Sequence, residues 1–171
     1  MGSVEALVPL VSAVEDCALI EGVAVVGSTA SGWADAASDI DLFVYVSPDR
    51  DDEVLAVRER LGRELADPTR FASIQQTGHP YADTWTLRES GTELDLMFWT
   101  TTWAEEELDW RLVRHQRQMG GPSTAFWRSI RDGLVIFDRD GWLDGVKERA
   151  RAPFPEQLRS EILRDNMDLL G

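Results

Sequence analysis

Apolar positions recur at helical spacing through the first residues, at Val4, Leu7, Val8, Val11 and Val14. Gly22 closes that segment, and the apolar run Val23 to Val26 predicts a buried strand. Gly27 and Ser28 interrupt the run, small residues follow through Ala37, and strand character resumes from Ile40 to Val46 before Ser47-Pro48-Asp49 breaks it. From Glu53 to Leu65, charged residues interleave with Val54, Val57, Leu61 and Leu65. That pattern predicts an amphipathic helix, with Pro68 in the loop that follows.

A weaker strand pattern between Arg70 and Gln76 precedes two stronger ones, Thr84 to Glu89 and Thr92 to Trp99, which the turn pair Ser90-Gly91 joins as a hairpin. Thr102-Trp103-Ala104-Glu105 matches a capping box, so a helix is expected from there to about Met119. Gly120-Gly121-Pro122 ends it, Ser123 is placed to cap a short helix to Asp132, Leu134 to Phe137 is a brief strand, and two helices close the chain. The order of elements predicts an α/β (α+β) chain, a mixed sheet backed by helices. The one plausible division falls near Thr100, between a strand-rich core at 1–100 and a helix-rich extension at 101–171.

Composition narrows the partners. The 171 residues are 43% hydrophobic and 28% charged, the profile of a chain that folds around one main core. A formal net charge of -14 opposes non-specific binding to DNA or RNA, so no long nucleic acid is expected as partner. Cys17 is the single cysteine, which excludes an intrachain disulfide and a cysteine-built zinc site and suits a reducing cytoplasm. The acidic residues Glu5, Glu15 and Asp16 argue against a signal peptide or membrane span in the first segment, and no membrane partner is expected.

Candidate chemistry lies in the segment Gly27-Ser28 through Ser38-Asp39-Ile40-Asp41-Leu42. Side chains alternate along a strand, so Asp39, Asp41 and Phe43 share one face while Ile40, Leu42 and Val44 share the other. Two carboxylates so placed repel unless a cation neutralises them, and hard oxygen donors select Mg2+ or Mn2+. Gly27 permits a close approach of backbone to phosphate, and Ser28 can donate to it. Asp95 adds a third carboxylate in mid-strand, between Leu94 and Leu96. Three carboxylates can hold two ions about 4 Å apart, one activating an acceptor hydroxyl and one steadying a leaving pyrophosphate.

The sequence Gly-Ser, about ten residues, Asp-x-Asp and a later strand aspartate resembles the nucleotidyltransferases of the DNA polymerase beta superfamily, in particular the minimal and the aminoglycoside-type small-molecule enzymes. The likeness spans roughly Gly22 to Thr100. It implies a polymerase beta-like core with a helical C-terminal portion. It further implies Asp39, Asp41 and Asp95 as catalytic metal ligands, Gly27 and Ser28 as the nucleotide-binding turn, and ATP or another nucleoside triphosphate as donor. The expected reaction moves AMP to a hydroxyl of an unidentified small acceptor. Two alternatives stay open: an antitoxin that AMPylates a partner protein, and a nucleotide-binding module without turnover. Oligomerisation is possible. Small-molecule members commonly carry a helical acceptor domain; here either further residues or a second subunit would supply it.

The remaining polar and aromatic residues have simpler readings. Trp33, Trp85, Trp99, Trp103 and Trp110 read as core-filling aromatics, and Glu105 to Glu107 as a solvated helix start. His79 and His115 show no ligand spacing, and Asp83 and Asp138 read as turn or cap residues.

Overall fold

A computed structural model describes residues 4–33, 38–74, 81–117 and 124–168. A 3-10 turn, Val4–Leu7, leads into α1 (Val8–Glu15); Pro9 in the first helical turn divides what the periodicity presents as one helix. Then come β1 (Ile20–Val25), a four-residue helix α2 (Gly27–Ala30), β2 (Ile40–Val46), α3 (Asp51–Leu65), β3 (Ala66–Ile74), β4 (Tyr81–Leu87) and β5 (Glu93–Thr100). The chain continues through α4 (Thr101–Leu112), α5 (Ala125–Asp132), β6 (Leu134–Asp138), α6 (Trp142–Ala150) and α7 (Glu156–Asp168). The six strands form one mixed sheet in the order β3-β4-β5-β2-β1-β6, with β2 and β5 parallel and the other neighbours antiparallel. This is the expected α/β architecture.

Alternation along β2 decides what each face of the sheet meets. Ile40, Leu42 and Val44 join Leu94, Leu96 and Phe98 of β5 in a core that Leu10 and Val14 of α1 and Val54 and Leu61 of α3 complete. Phe43 and Tyr45, with Trp99, form the opposite core against Ala104 and Leu108 of α4, Ile130 of α5 and Leu143 and Val146 of α6. The second layer covers one end of that face and leaves Asp41 and Asp95 at the other.

Several local expectations change. Gly22 does not close a turn but lies within β1, where a Cβ would come within 3.0 Å of Leu143 Cδ2; the small residue lets α6 sit against the strand. Pro68 lies inside β3, not in a loop. An edge strand tolerates the missing N–H, and the pairing with β4 shifts register between Ala66 and Phe71. The cap of α4 is Thr100, whose Oγ1 accepts from Trp103 N at 3.2 Å; Thr102 is already helical, and Glu105 instead accepts from Trp142 Nε1 at 2.8 Å. α4 ends at Leu112, short of the expected Met119. Met119, Ser123 and His79 lie outside the described residues. Asp138 does act as a cap, accepting from Leu143 N and Asp144 N at 2.9 Å each.

Asp83 is not a turn residue. It lies within β4, fully buried, and accepts from Arg58 Nε at 2.9 Å and from the same guanidinium's NH2 at 2.6 Å. Arg58 of α3 is itself only 2% exposed and sits over the rings of Tyr81 and Phe98. A forked pair thus ties α3 to β4 through the core, where an apolar contact is the usual solution.

Candidate active site

Parallel pairing of β2 and β5 sets the site. The register puts Asp41 opposite Asp95 and Phe43 opposite Met97, so two carboxylates distant in sequence stand side by side on one face. Asp39 lies one residue ahead of β2, and Thr29 Oγ1 donates to its carbonyl at 3.4 Å. Across the hairpin, Thr84 Oγ1 donates to Asp95 Oδ1 at 2.7 Å, which fixes one rotamer of that carboxylate.

The electrostatics are those of crowded anions. Partial burial holds the Asp41 carboxyl above its ordinary range, and the charges of Asp39 and Asp95 push it further the same way. Among the described residues, no three His, Cys, Asp or Glu side chains are already drawn close enough to hold an ion as they stand. The donor set is nonetheless all anionic oxygen, the kind that hard divalent cations such as Mg2+ and Mn2+ select. A raised folded-state pKa means that the folded protein keeps its proton after the unfolded chain has lost it. Stability without metal should therefore fall as pH rises from the ordinary aspartate range through the raised value. Asp41→Asn should remove that fall and raise the melting temperature at neutral pH in chelator. Added magnesium should narrow the gap by stabilising the wild type alone; equal melting of both proteins in chelator would contradict this account.

The turn after β1 is built around the same carboxylate. Gly27 takes φ +65, and a Cβ there would fall 2.1 Å from Asp41 Oδ2. Only glycine leaves room for the Asp41 side chain beneath this turn. Gly27→Ala should displace Asp41, reduce stability by about 1–3 kcal/mol through the left-handed backbone strain alone, and weaken divalent-ion binding. Calorimetry with Mg2+ and chemical denaturation measure the two effects separately. Ser28 is half-buried within α2. That helix is too short for a macrodipole to build up, so an anion placed here would meet the hydroxyl, the turn amides and nearby side chains instead of a helix dipole.

A neighbouring cation is present. A cavity beside the turn is lined by Gly27, Ser28, Ser31 and, from α5, Arg128, whose side chain is 66% exposed and lies 3.5 Å from the Asp132 carboxylate of the same cavity wall. A second cavity, about 560 Å³, opens on the Asp41 and Asp95 side and is walled by Met97, Trp99, Trp103, Phe126 and Glu107. Neither Arg128 nor this wall was expected from the sequence. Arg128 sits on a helix remote from the motif, and Trp99 and Trp103 resemble ordinary core residues until the fold turns their layer toward the carboxylates.

The family model for the nucleotidyltransferase domain matches residues 10–108, more than half of the chain and a span that holds Gly27, Ser28, Asp39, Asp41 and Asp95. The chain belongs to the nucleotidyltransferase domain family. No curated protein sequence matches this nucleotidyltransferase domain protein. Solved structures similar to it include a nucleotidyltransferase-like protein from Exiguobacterium sibiricum 255-15, at 16% identity and a TM-score of 0.48, covering 91% of this chain and 40% of that one. The Cid1 poly(U) polymerase is also similar, at 19% identity and a TM-score of 0.44, covering 74% of this chain and 45% of that one. The chain thus spans less than half the length of these two proteins.

Proposed function

We propose that the protein is a metal-dependent nucleotidyltransferase that moves a nucleoside monophosphate, AMP from ATP, to a hydroxyl of a small molecule and releases pyrophosphate. The observation that carries this reading is the register match of Asp41 with Asp95, with Gly27 folded onto the Asp41 carboxylate and Asp39 one residue ahead of that strand. Asp39, Asp41 and Asp95 would hold the divalent ions. Ions bound there supply Lewis-acid activation of the attacking hydroxyl and neutralise charge on the leaving pyrophosphate.

The chain's own residues then have distinct tasks. Ser28, the amides of the Gly27 turn and Arg128 would bind the outgoing phosphates. Asp95, oriented by Thr84, would accept the proton of the acceptor hydroxyl as its oxygen bonds to the α-phosphorus and the bridging bond to the β-phosphate breaks. A small acceptor fits the net charge of -14, which disfavours a polyanionic one. Among the described residues no helix is long and apolar enough to cross a membrane, and Cys17 is a free, buried thiol. A cytoplasmic enzyme is part of the same proposal.

Pyrophosphate release from ATP and magnesium, measured across a panel of hydroxylated amines, sugars, short RNA and protein substrates, tests the reading. Turnover is expected with a small hydroxylated compound, and Arg128→Gln should raise the KM for ATP about tenfold through loss of a charged hydrogen bond. Turnover with RNA or protein alone would replace the small-molecule assignment. Mg-ATP binding with no turnover on any acceptor would favour a binding module.

A further inference from the structure

Two cavities meet at the Gly27 turn. One runs over the turn and is lined by Ser28, Ser31, Thr124 and Arg128; the other opens on Asp41 and Asp95; and Val26, Gly27, Ala125 and Ser129 line both. Of these four shared residues, Ser129 alone has a side chain that can hydrogen-bond.

Helical rotation accounts for its place. With about 3.6 residues per turn, the side chains around α5 follow the order Arg128, Asp132, Ala125, Ser129, Phe126. Arg128 and Asp132 accordingly line only the turn cavity and Phe126 only the carboxylate cavity, with Ala125 and Ser129 on the line between. The helix end is held against the sheet. Ser129 O accepts from Gly133 N at 2.9 Å, and a Cβ on Gly133 would come within 2.6 Å of that oxygen and 3.2 Å of Val25 O, so glycine lets α5 close on the end of β1 just ahead of Gly27.

The Ser129 hydroxyl is not used to hold the fold. A helical serine can donate to the carbonyl four residues back, as Ser31 does to Gly27 O at 2.9 Å. Ser129 makes no such bond to Ala125, nor any other side-chain hydrogen bond among the described residues.

We propose that Ser129 is a further catalytic residue, whose hydroxyl donates to the oxygen bridging the α- and β-phosphates of the donor. The assignment rests on the nucleotidyl-transfer reading above. With the α-phosphorus at the carboxylates and the outgoing phosphates over the turn, the bridging oxygen has to lie where the two cavities join. As the acceptor oxygen bonds to phosphorus, the bond to the bridging oxygen breaks and its electron pair stays on that oxygen, which leaves as part of pyrophosphate. A hydroxyl aimed there keeps its own proton and binds more strongly as the charge grows.

Calorimetric titration of the full chain with magnesium and three probes tests this: ATP, α,β-methylene-ATP, in which CH2 replaces the bridging oxygen, and β,γ-methylene-ATP, which keeps it. Ser129→Ala should weaken ATP and β,γ-methylene-ATP about fivefold each through loss of one hydrogen bond, and leave α,β-methylene-ATP unchanged. Comparing ratios between the two proteins cancels the probes' own differences in charge. A variant that weakens all three probes equally, or none, overturns the proposal. Alanine favours a helix, so the variant should keep its circular dichroism. If it does not, Ser129→Cys, close in shape but a weak donor, decides by the same ratios. A wild type that takes none of the three probes overturns the assignment through the donor site beneath it, whereas binding with unchanged ratios overturns Ser129 alone.

Discussion

An Asp39→Ala/Asp41→Ala protein should lose magnesium-dependent ATP binding in calorimetry and release pyrophosphate at least about a thousandfold more slowly than wild type, since several kcal/mol of transition-state charge stabilisation disappear with the ions. The size of the effect follows from the arrangement. Asp41 faces Asp95 across the parallel pair and the Gly27 turn closes over its carboxylate, so the double variant leaves Asp95 as the one carboxylate of the proposed set. The fold should survive. Asp41 stands half-buried among like charges, and removing it relieves both desolvation and repulsion in the metal-free protein. A double variant that is folded and binds Mg-ATP as tightly as wild type would remove the metal site from these residues.

The second large effect concerns stability. Asp83→Ala should cost about 3–5 kcal/mol in urea denaturation, because it strands the Arg58 guanidinium in the core. Replacing both partners, as Arg58→Met with Asp83→Leu, should recover most of the loss, since two apolar side chains need no compensating charge. If the double variant is as unstable as the single one, the pair contributes through geometry that apolar groups cannot reproduce. Activity should follow stability only in part. Asp83 precedes Thr84, whose hydroxyl holds Asp95, so loosening β4 also frees a carboxylate of the site.

What was legible in the sequence, and what was not, divides along the range of the interactions involved. Alternation in Asp39-Ile40-Asp41-Leu42-Phe43 is a property of one strand, and it places the carboxylates on one face and Ile40 and Leu42 in the opposite core before any partner is known. The Ser90-Gly91 turn is equally local, and β4 and β5 pair around it. The pairing of β2 with β5 is not local, and only that pairing shows Asp95 beside Asp41. Asp83 illustrates the limit. An acidic residue near a Pro and a Gly has the composition of a turn, and its burial depends on an arginine from another element. Glu107 fails as an expectation for a related reason. The run Glu105 to Glu107 follows a helix start, where acids favour the dipole, but helical rotation turns Glu107 inward toward Arg111.

The parallel join of β2 to β5 also governs when the site can exist. Because α3, β3 and β4 intervene between the two strands, this contact closes a long loop, the kind of step that slows folding. The β4–β5 hairpin and the Gly27 turn are each local and can form early, yet neither brings Asp95 to Asp41. Affinity for a divalent ion should therefore arise late in refolding, when the hairpin docks on β2, and a metal-sensitive probe mixed with the refolding chain would time the completion of the sheet.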